Sequence, residues 1–422
     1  MTSDLHFLGI HDGHNSGATL VTNGRVVASV CEERLTRKKN EVGYPRRAIE
    51  DVLHIAGVDA ADLAEIVYAS NFMHSREHLL DITTWYPVGL AEQRKAASAP
   101  SDYQKVIFQQ RRGERIADVV DHLGVPADRI SFVEHHLAHL TAAYYTAPGL
   151  DADQPVLGLT CDGAGDGLCA TVSVCRGNDI ERIAATDRHA SLGKIYSRTT
   201  YLMGMTPWEH EYKLMGLAPY ADPGRVDRAA DPLRALLKFS DDGLSFERAG
   251  ELSTNFCYEY LRDAFERTRF DTIAGAVQLV TEEMLVQWVK NAVEATGISD
   301  IVCGGGVFMN VKANMLIAQL PQVRSMYVMP SAGDESLSFG AALYRYYQLT
   351  GRTDRSESSL QDLYLGAEFS DRDEEAAITD ARRDVDLEIQ RPNDLNAAIA
   401  DLVADGKIVA LSRGRMEWGA RA

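Results

Sequence analysis

The chain has 422 residues, with 43 lysines and arginines against 61 aspartates and glutamates, and a formal net charge of −18. Its length suits two or three globular domains, whereas its acidic balance argues against a nucleic-acid surface, which needs clustered basic residues. The first residues resemble no export signal, and no run of about 18 apolar residues occurs. Six cysteines without CxxC spacing indicate reduced thiols. We therefore expect a cytoplasmic protein with no membrane partner.

The first predicted unit, residues 5–30, contains three short strands separated by turns. Asn23 and Gly24 lie between two valine-rich runs and form a strong hairpin signal. Residues 155–185 repeat this plan, with an apolar strand ending in Asp-Gly, a glycine-rich turn and two further strands. One structural unit therefore occurs twice, and such a duplication determines the architecture.

The repeat predicts two α/β lobes that place equivalent glycine turns on one cleft. Lobe I covers about residues 1–150 and lobe II about 151–350, and residues 190–220 are predicted as a loop and short helix in the cleft wall. Residues 351–360 form a polar linker. A further α/β unit at 361–422, with strands at DLYLGAEF and KIVALS, is too short for its own core. We expect the rest of that unit to be missing or supplied in trans.

The segment 131–145, SFVEHHLAHLTAAYY, is predicted as a largely apolar helix with three histidines. His135 and His139 are four residues apart, so both imidazoles leave one helix face about one turn apart and can share a metal ion. His136 points about 100° away and is not expected to take part. A random HxxxH is more often a pair of polar surface residues, but the apolar neighbours favour buried histidines that need partners.

A metal site built on this pair needs at least one more ligand, usually a carboxylate. Asp334 lies between a predicted strand and a helix, a loop position that faces the cleft in α/β folds. Asp162 ends the first strand of the second repeat and is predicted at the same cleft, as a ligand through water or as an orienting residue. Helix capping for Asp334 and a tight turn for Asp162 are the structural alternatives.

Three glycine turns, DGHNSGA, DGAGDG and CGGGVFMN, each follow an apolar strand. Backbone amides that glycine leaves accessible can hold phosphates, especially where a helix begins. The three turns together indicate a nucleotide cleft. None of them matches a P-loop or a dinucleotide-binding turn.

Two polar residues near the first turn have roles that spacing leaves open. Lys39 stands with Arg37 and Lys38 before a predicted helix, and is either part of a solvated basic cluster or a phosphate contact. His14 lies inside the first glycine turn, where it is either a general base or a hydrogen-bonding turn residue.

Eight stretches, in this order, resemble the O-carbamoyltransferases of antibiotic and nodulation-factor biosynthesis. They are LGIHDGHNSGATLV, EERLTRKKNEVGYP, EHHLAHLTAAYY, SLGKIYS, EYKLMGLAPY, CGGGVFMNVKAN, GDESLSFGAAL and GRMEWGAR. The resemblance spans essentially the whole chain. It implies a first domain with the duplicated actin-like, sugar-kinase-like (ASKHA, RNase H-like) fold, similar to the tRNA threonylcarbamoyladenosine transferase, followed by the start of a YrdC-like domain.

The resemblance also implies a two-step reaction. Carbamoyl phosphate and ATP, as its magnesium complex, form carbamoyladenylate in the YrdC-like domain. A hydroxyl group of a small natural-product acceptor then attacks the carbamoyl carbon in the first domain. The metal of the first domain is iron in relatives, with zinc or manganese as alternatives, and would act as a Lewis acid.

Roles implied by the resemblance fall on residues that occupy the matching motif positions. The metal ligands would be His135, His139 and Asp334. Catalytic roles would belong to His14, Lys39 and Asp162. Contacts to the nucleotide or carbamoyladenylate would come from Gly163, Lys213, Gly304, Gly305, Gly306, Asn310 and Arg421.

Two departures from the family pattern limit what we expect of the chain. Relatives continue GRMEFGPRALG into a much longer domain, whereas here Ala420 replaces the proline and the sequence stops at Ala422. We therefore expect this polypeptide to accept carbamoyladenylate but not to make it. Asn15 stands where relatives often have aspartate, so an acidic role in the first turn is unsupported.

Other classes of protein share parts of this pattern. A tRNA-modifying transferase shares the fold and metal site, although the acidic composition argues against it, and an actin-like ATPase or sugar kinase shares the glycine turns but has no use for HxxxH. A nucleotide sensor would bind ATP without turnover of any acceptor.

Two stretches are predicted as aromatic walls that would select the acceptor. They are residues 71–101, with Trp85, and residues 201–212, with Trp208. Only the general frequency of dimers favours a homodimer.

Overall fold

The computed structural model describes residues 4–98 and 103–420. Lobe I contains a five-stranded sheet and seven helices within these ranges. Its strands are β1 (His6–His11), β2 (Gly17–Thr22), β3 (Arg25–Cys31), β4 (Leu63–Ala69) and β5 (Ile130–Val133). Its helices are α1 (Glu32–Thr36), α2 (Arg46–Ala56), α3 (Arg76–Leu80), α4 (Ile82–Trp85), α5 (Leu90–Ala97), α6 (Tyr103–Leu123) and α7 (His135–Thr146).

Lobe II contains a second five-stranded sheet, a small hairpin and seven helices. Its strands are β6 (Val156–Gly165), β7 (Leu168–Arg176), β8 (Asp179–Asp187), β9 (Leu237–Phe239), β10 (Phe246–Arg248), β11 (Asp300–Gly304) and β12 (Ser325–Val328). Its helices are α8 (Leu192–Leu202), α9 (Glu211–Leu217), α10 (Pro223–Arg234), α11 (Tyr258–Ala264), α12 (Phe270–Thr296), α13 (Val311–Ala318) and α14 (Leu337–Thr350). None of the described helices is both long and apolar enough to cross a membrane.

The two large sheets have the same topology. Lobe I has the strand order β3-β2-β1-β4-β5, and lobe II has the order β8-β7-β6-β11-β12. In each sheet the first strand pairs antiparallel with the second and parallel with the fourth. The fold is thus the duplicated actin-like, sugar-kinase-like two-lobed fold that the repeat and the resemblance predict.

Helices α7 and α14 each pack on the sheet of the opposite lobe as well as on one another. On α14, the Ser338 hydroxyl lies 2.7 Å from the Thr19 hydroxyl of β2. On α7, His136 Nδ1 lies 2.8 Å from the Thr160 hydroxyl of β6. The last helix of each lobe is therefore shared with the other lobe, and residues from both lobes meet where these helices begin.

The helix crossing depends on a glycine. A Cβ atom on Gly340 of α14 would lie 1.7 Å from the carbonyl oxygen of Ala138 of α7, so the two backbones approach too closely for any side chain. Both helices are almost entirely buried here.

Two sequence predictions about the chain differ from the structure. Residues 190–220 contain the eleven-residue helix α8 rather than only a loop and short helix, because Ser191 caps its amino terminus by accepting the Lys194 N–H. The predicted strands at DLYLGAEF and KIVALS are not formed. A strand needs a partner for its backbone groups, and no strand is assigned after Val328 in the described residues.

The segment after the linker packs little of its apolar surface. Helices α15 (Asp371–Ala381) and α16 (Leu395–Ala404) have no buried residue. Its two ends are an exception, since Leu365 accepts the Ser29 N–H through its carbonyl oxygen and Trp418 contacts Phe339 with ring centroids 4.4 Å apart. These contacts attach both ends of the segment to the two-lobed domain.

We predict that Gly340→Ala lowers the free energy of unfolding by about 2–3 kcal/mol, because the added methyl group forces α7 and α14 apart. Chemical denaturation followed by circular dichroism measures this. Gly113→Ala is the matched control, since Gly113 lies in α6 with no atom near its Cβ position, and this change should be neutral or stabilise by up to about 1 kcal/mol. Equal stability of both variants would contradict the tight helix crossing.

Candidate active site

Helix α7 presents its two predicted ligand histidines into the protein interior. Glu134 caps the helix, and its side chain accepts the N–H groups of His136 and Leu137 at 3.1 and 2.8 Å. His135 and His139 are buried, and their ring centroids are 4.7 Å apart. The cap fixes the start of the helix, so the positions of both imidazoles are determined.

Two carboxylates from lobe II lie against these imidazoles. Asp334 Oδ1 lies 3.7 Å from His135 Nε2 and 3.3 Å from His139 Nε2. Asp162 Oδ2 lies 3.4 Å from His135 Nε2. One ligand atom from each of these four residues lies within 4.8 Å of the others, which is a geometry that could hold a metal ion.

The chemistry of this four-residue cluster fits a divalent metal. His135 Nε2, His139 Nε2 and Asp334 Oδ1 are buried and have no hydrogen-bond partner among the described residues. The other ring nitrogens face hydroxyl groups, with His135 Nδ1 2.9 Å from Ser70 and His139 Nδ1 3.4 Å from Ser336. Such outer partners orient ligand histidines, and a set of two nitrogens and two oxygens suits iron, zinc or manganese.

Electrostatics keep the two carboxylates ionised. Burial is the largest single effect and raises both pKa values. The neighbouring histidines together outweigh it, chiefly His14 and His135 for Asp334 and His135 and His139 for Asp162, so both pKa values lie well below the usual range. Burial also lowers the pKa of His135, but Asp334 and Asp162 raise it to about 9. The cluster therefore offers two negative charges to a cation.

Two further histidines from lobe I contact the other oxygen of Asp334. His14 Nδ1 lies 3.3 Å and His11 Nε2 lies 3.7 Å from Asp334 Oδ2. The His14 ring stacks on Trp208, with centroids 4.7 Å apart and planes 10° apart. Trp208 has a φ of 70°, a strained conformation for a bulky residue. The sequence predicted His14 at the cleft, whereas His11 was not among the predicted site residues.

The glycine turns of lobe II meet beside the cluster. Asp162 Oδ1 accepts the Gly306 N–H at 3.0 Å, and the Gly305 N–H donates to the carbonyl oxygen of Ala332 at 2.9 Å. Gly304, the last residue of β11, packs closely against the His139 carbonyl oxygen. Asn310 caps α13. The amides of Gly305 and Gly306 are thus already paired within the protein.

A large cleft of about 1850 Å³ opens over the cluster. Eight of the predicted site residues line it, namely His14, Lys39, His135, Asp162, Gly163, Gly306, Asn310 and Asp334. His139, Gly304, Gly305 and Lys213 are not among its lining residues. Lys39 is exposed, and Arg421 lies outside the described residues.

An aromatic wall runs outward along the cleft from His14 and Trp208. Trp85 contacts Trp208 edge to face, with centroids 5.9 Å apart, and contacts His78 at 4.4 Å. His78 in turn lies 4.5 Å from His74. All of these residues line the cleft. The sequence predicted Trp85 and Trp208 as wall residues, and the structure places both on one wall.

Sequence reasoning missed Asp166, which connects the lobes beside the cluster. Its carboxylate accepts the N–H groups of Asn71, Phe72 and His135 at 2.7, 2.9 and 2.9 Å. The only sequence signal was its place in the glycine turn DGAGDG. Asp166 thus fixes the backbone of a candidate ligand from the opposite lobe.

Comparison with protein families decides the assignment. Residues 6–343 match the sequence model described as Carbamoyltransferase N-terminus. The chain belongs to the carbamoyltransferase family. This confirms the resemblance seen in the motifs and makes the protein a transferase.

Relatives of this carbamoyltransferase extend beyond it. The nodulation protein NolNO of Sinorhizobium fredii is 29% identical over 411 residues, covering 97% of this chain and 57% of NolNO. The uncharacterized protein sll1178 of Synechocystis is 30% identical over 432 residues, covering 99% of this chain and 69% of that protein. NolO of Bradyrhizobium diazoefficiens is 28% identical over 291 residues, covering 69% of this chain and 52% of NolO. The chain thus spans little more than half the length of the two nodulation proteins.

Similar solved structures are distant. HypF of T. kodakarensis is 14% identical, with a TM-score of 0.44, covering 85% of this chain and 50% of HypF. The ROK hexokinase of Thermus thermophilus is 14% identical, with a TM-score of 0.42, covering 82% of this chain and all of the hexokinase chain. The fold assignment of this carbamoyltransferase therefore rests on the shared strand order of its two sheets.

We predict that His139→Ala abolishes metal binding, because it removes one of two nitrogen ligands. Inductively coupled plasma mass spectrometry after dialysis should find roughly one metal per wild-type chain and almost none in the variant. His136→Asn is the control on the same helix, since its amide can replace the His136 Nδ1 contact to Thr160 while the metal is retained. Undiminished metal in His139→Ala would contradict the assignment of this cluster as the metal site.

Proposed function

We propose that this chain carries the transfer site of an O-carbamoyltransferase, in which a carbamoyl group moves from carbamoyladenylate to a hydroxyl group of a small acceptor. The observation that carries the proposal is the buried cluster of His135, His139, Asp162 and Asp334 at the base of a cleft between two lobes. Membership of the carbamoyltransferase family supports carbamoyl as the group that is transferred.

The metal would be held by His135, His139 and Asp334, with Asp162 as a fourth ligand or as a residue that binds a metal-bound water. Iron is the expected metal, and zinc or manganese also suit this ligand set. A bound divalent cation supplies Lewis-acid stabilisation of negative oxygen atoms at the reacting centre.

His14 is our candidate for the proton acceptor of the acceptor hydroxyl. Its Nδ1 faces Asp334 Oδ2, so a proton on Nδ1 would donate to that carboxylate and leave Nε2 free to accept a proton. Stacking on Trp208 holds the ring plane fixed. The same arrangement of carboxylate and imidazole orients general bases in other enzymes.

The reaction balances without a further reagent. The acceptor oxygen forms a bond to the carbamoyl carbon, and the bond between that carbon and the phosphate oxygen breaks. The bonding electron pair goes to the phosphate, so AMP leaves. The hydroxyl proton passes to the general base.

One experiment distinguishes the proposed function from that of a tRNA-modifying enzyme and from that of a kinase. The chain would be incubated with chemically prepared carbamoyladenylate and, in separate reactions, with sugars, nucleosides, aminocyclitols and tRNA. Mass spectrometry should find a carbamoylated small molecule together with AMP, and His139→Ala should form neither product. Modification of tRNA alone would favour a tRNA-modifying enzyme. In parallel reactions with ATP and Mg²⁺ in place of carbamoyladenylate, a phosphorylated sugar and ADP would favour a kinase, and either result would overturn the proposal.

We predict that Trp85→Ala raises the KM for the acceptor about tenfold, because a buried aromatic contact contributes about 1–1.5 kcal/mol. The effect on kcat should be smaller, since Trp85 lies beyond Trp208 from the cluster. Steady-state kinetics with an acceptor found in the screen measures both constants. Tyr220→Ala is the control, because Tyr220 is 79% exposed and does not line the cleft. An unchanged KM in Trp85→Ala would contradict an acceptor-binding role for this wall.

A further inference from the structure

Lys194 belongs to a helix that begins directly on the second glycine turn. The hydroxyl of Ser191, which caps α8, donates to the carbonyl oxygen of Gly163 at 2.7 Å and accepts the Lys194 N–H at 3.0 Å. A Cβ atom on Gly193 would lie 2.9 Å from the carbonyl oxygen of Asp162, so the helix touches the turn. The backbone of Lys194 is therefore fixed relative to the metal cluster.

The Lys194 side chain reaches over the same turn into the cleft. Its Nζ lies 3.6 Å from the position that a Cβ on Gly163 would occupy. Lys194 is half-buried and lines the cleft with Asp162 and Asp334. Among the described residues its ammonium group has neither a hydrogen bond nor an ion pair. A partly buried ammonium without a partner is costly, so a bound anion would stabilise it.

Three donors near this turn are already engaged. The N–H groups of Gly305 and Gly306 bind Ala332 and Asp162, as described above. The guanidinium of Arg198 donates to the carbonyl oxygen of Asn255. Lys194 is thus a free cationic donor next to a turn where the sequence predicted phosphate binding.

We propose that Lys194 binds the phosphate group of the nucleotide donor and stabilises the charge that this phosphate gains as AMP leaves. This role rests on the proposed function. As the bond from the carbamoyl carbon to the phosphate oxygen breaks, the electron pair moves onto that oxygen, and the ammonium group stays protonated and donates a hydrogen bond to it. Burial, followed by the neighbouring Arg198, lowers the pKa of Lys194 to about 8 against the attraction of Asp162, Asp334 and Glu211, which still leaves the group largely charged at pH 7.

Binding of AMP and of adenosine by the metal-loaded chain tests this role, because the two probes differ only in the phosphate. Isothermal titration calorimetry should show that Lys194→Met weakens AMP binding by roughly tenfold or more, while adenosine binding changes by less than about twofold. Lys194→Arg should retain most of the preference for AMP. Metal analysis of each variant ensures that the metal site is equally filled.

Arg188→Met is the matched control, since it removes one positive charge from the lining of the same cleft. It should leave the ratio of AMP to adenosine affinity close to that of the wild type. Equal weakening of both probes by Lys194→Met, or no weakening, would overturn the role of Lys194. If the AMP preference depends on Lys194 but no carbamoyl acceptor is found, the phosphate site stands and the proposed transfer reaction does not.

Discussion

The site depends on the Asp334 carboxylate, which uses its two oxygens to contact two pairs of histidines. Oδ1 faces His135 and His139, and Oδ2 faces His11 and His14. Asp334 comes from lobe II, immediately before α14, whereas all four histidines come from lobe I. A buried carboxylate is stable only when it is paired or bound to a cation, so this residue requires the two lobes to stay together. The shared helices α7 and α14 keep its distance to the imidazoles fixed.

The second glycine turn complements this contact from the opposite direction. It contributes Asp162 to the candidate metal cluster, and Asp166 binds the backbone of His135. The Gly163 carbonyl oxygen accepts the hydroxyl of Ser191, which caps the helix of Lys194. Three roles thus come from five consecutive residues. Glycine is needed among them because a Cβ atom on Gly165 would lie only 2.0 Å from Cγ of His135. The geometry of the candidate metal cluster, the contact between the lobes and the position of Lys194 are therefore coupled, and a change in this turn would disturb all three.

Much of this arrangement could be predicted from the sequence, for identifiable physical reasons. The duplication was visible because the strand and glycine-turn pattern repeats, and the pair His135 and His139 was visible because four residues make one helical turn. Two partners could not be predicted, namely Arg115, which binds the Asp12 carboxylate, and Asp166, which binds the His135 backbone. Each contacts residues far away in the sequence, and no local periodicity indicates such contacts. The strands predicted after residue 361 were wrong because a strand-like apolar stretch does not by itself supply the partner that a strand needs.

The two Asp-Gly turns show how the duplicated lobes have diverged. Asp12 directly follows β1 and Asp162 occupies the equivalent position near the end of β6, yet Asp12 is paired with Arg115 through two hydrogen bonds of 2.9 Å. Arg115 also lies over the Tyr68 ring and donates to the carbonyl oxygen of Ser70, so this buried pair is fully satisfied. Asp12 is therefore not free to bind a cation. Lobe I uses its aspartate to anchor the turn that carries His11 and His14, whereas the equivalent aspartate of lobe II faces the His135 ring and is available to a cation.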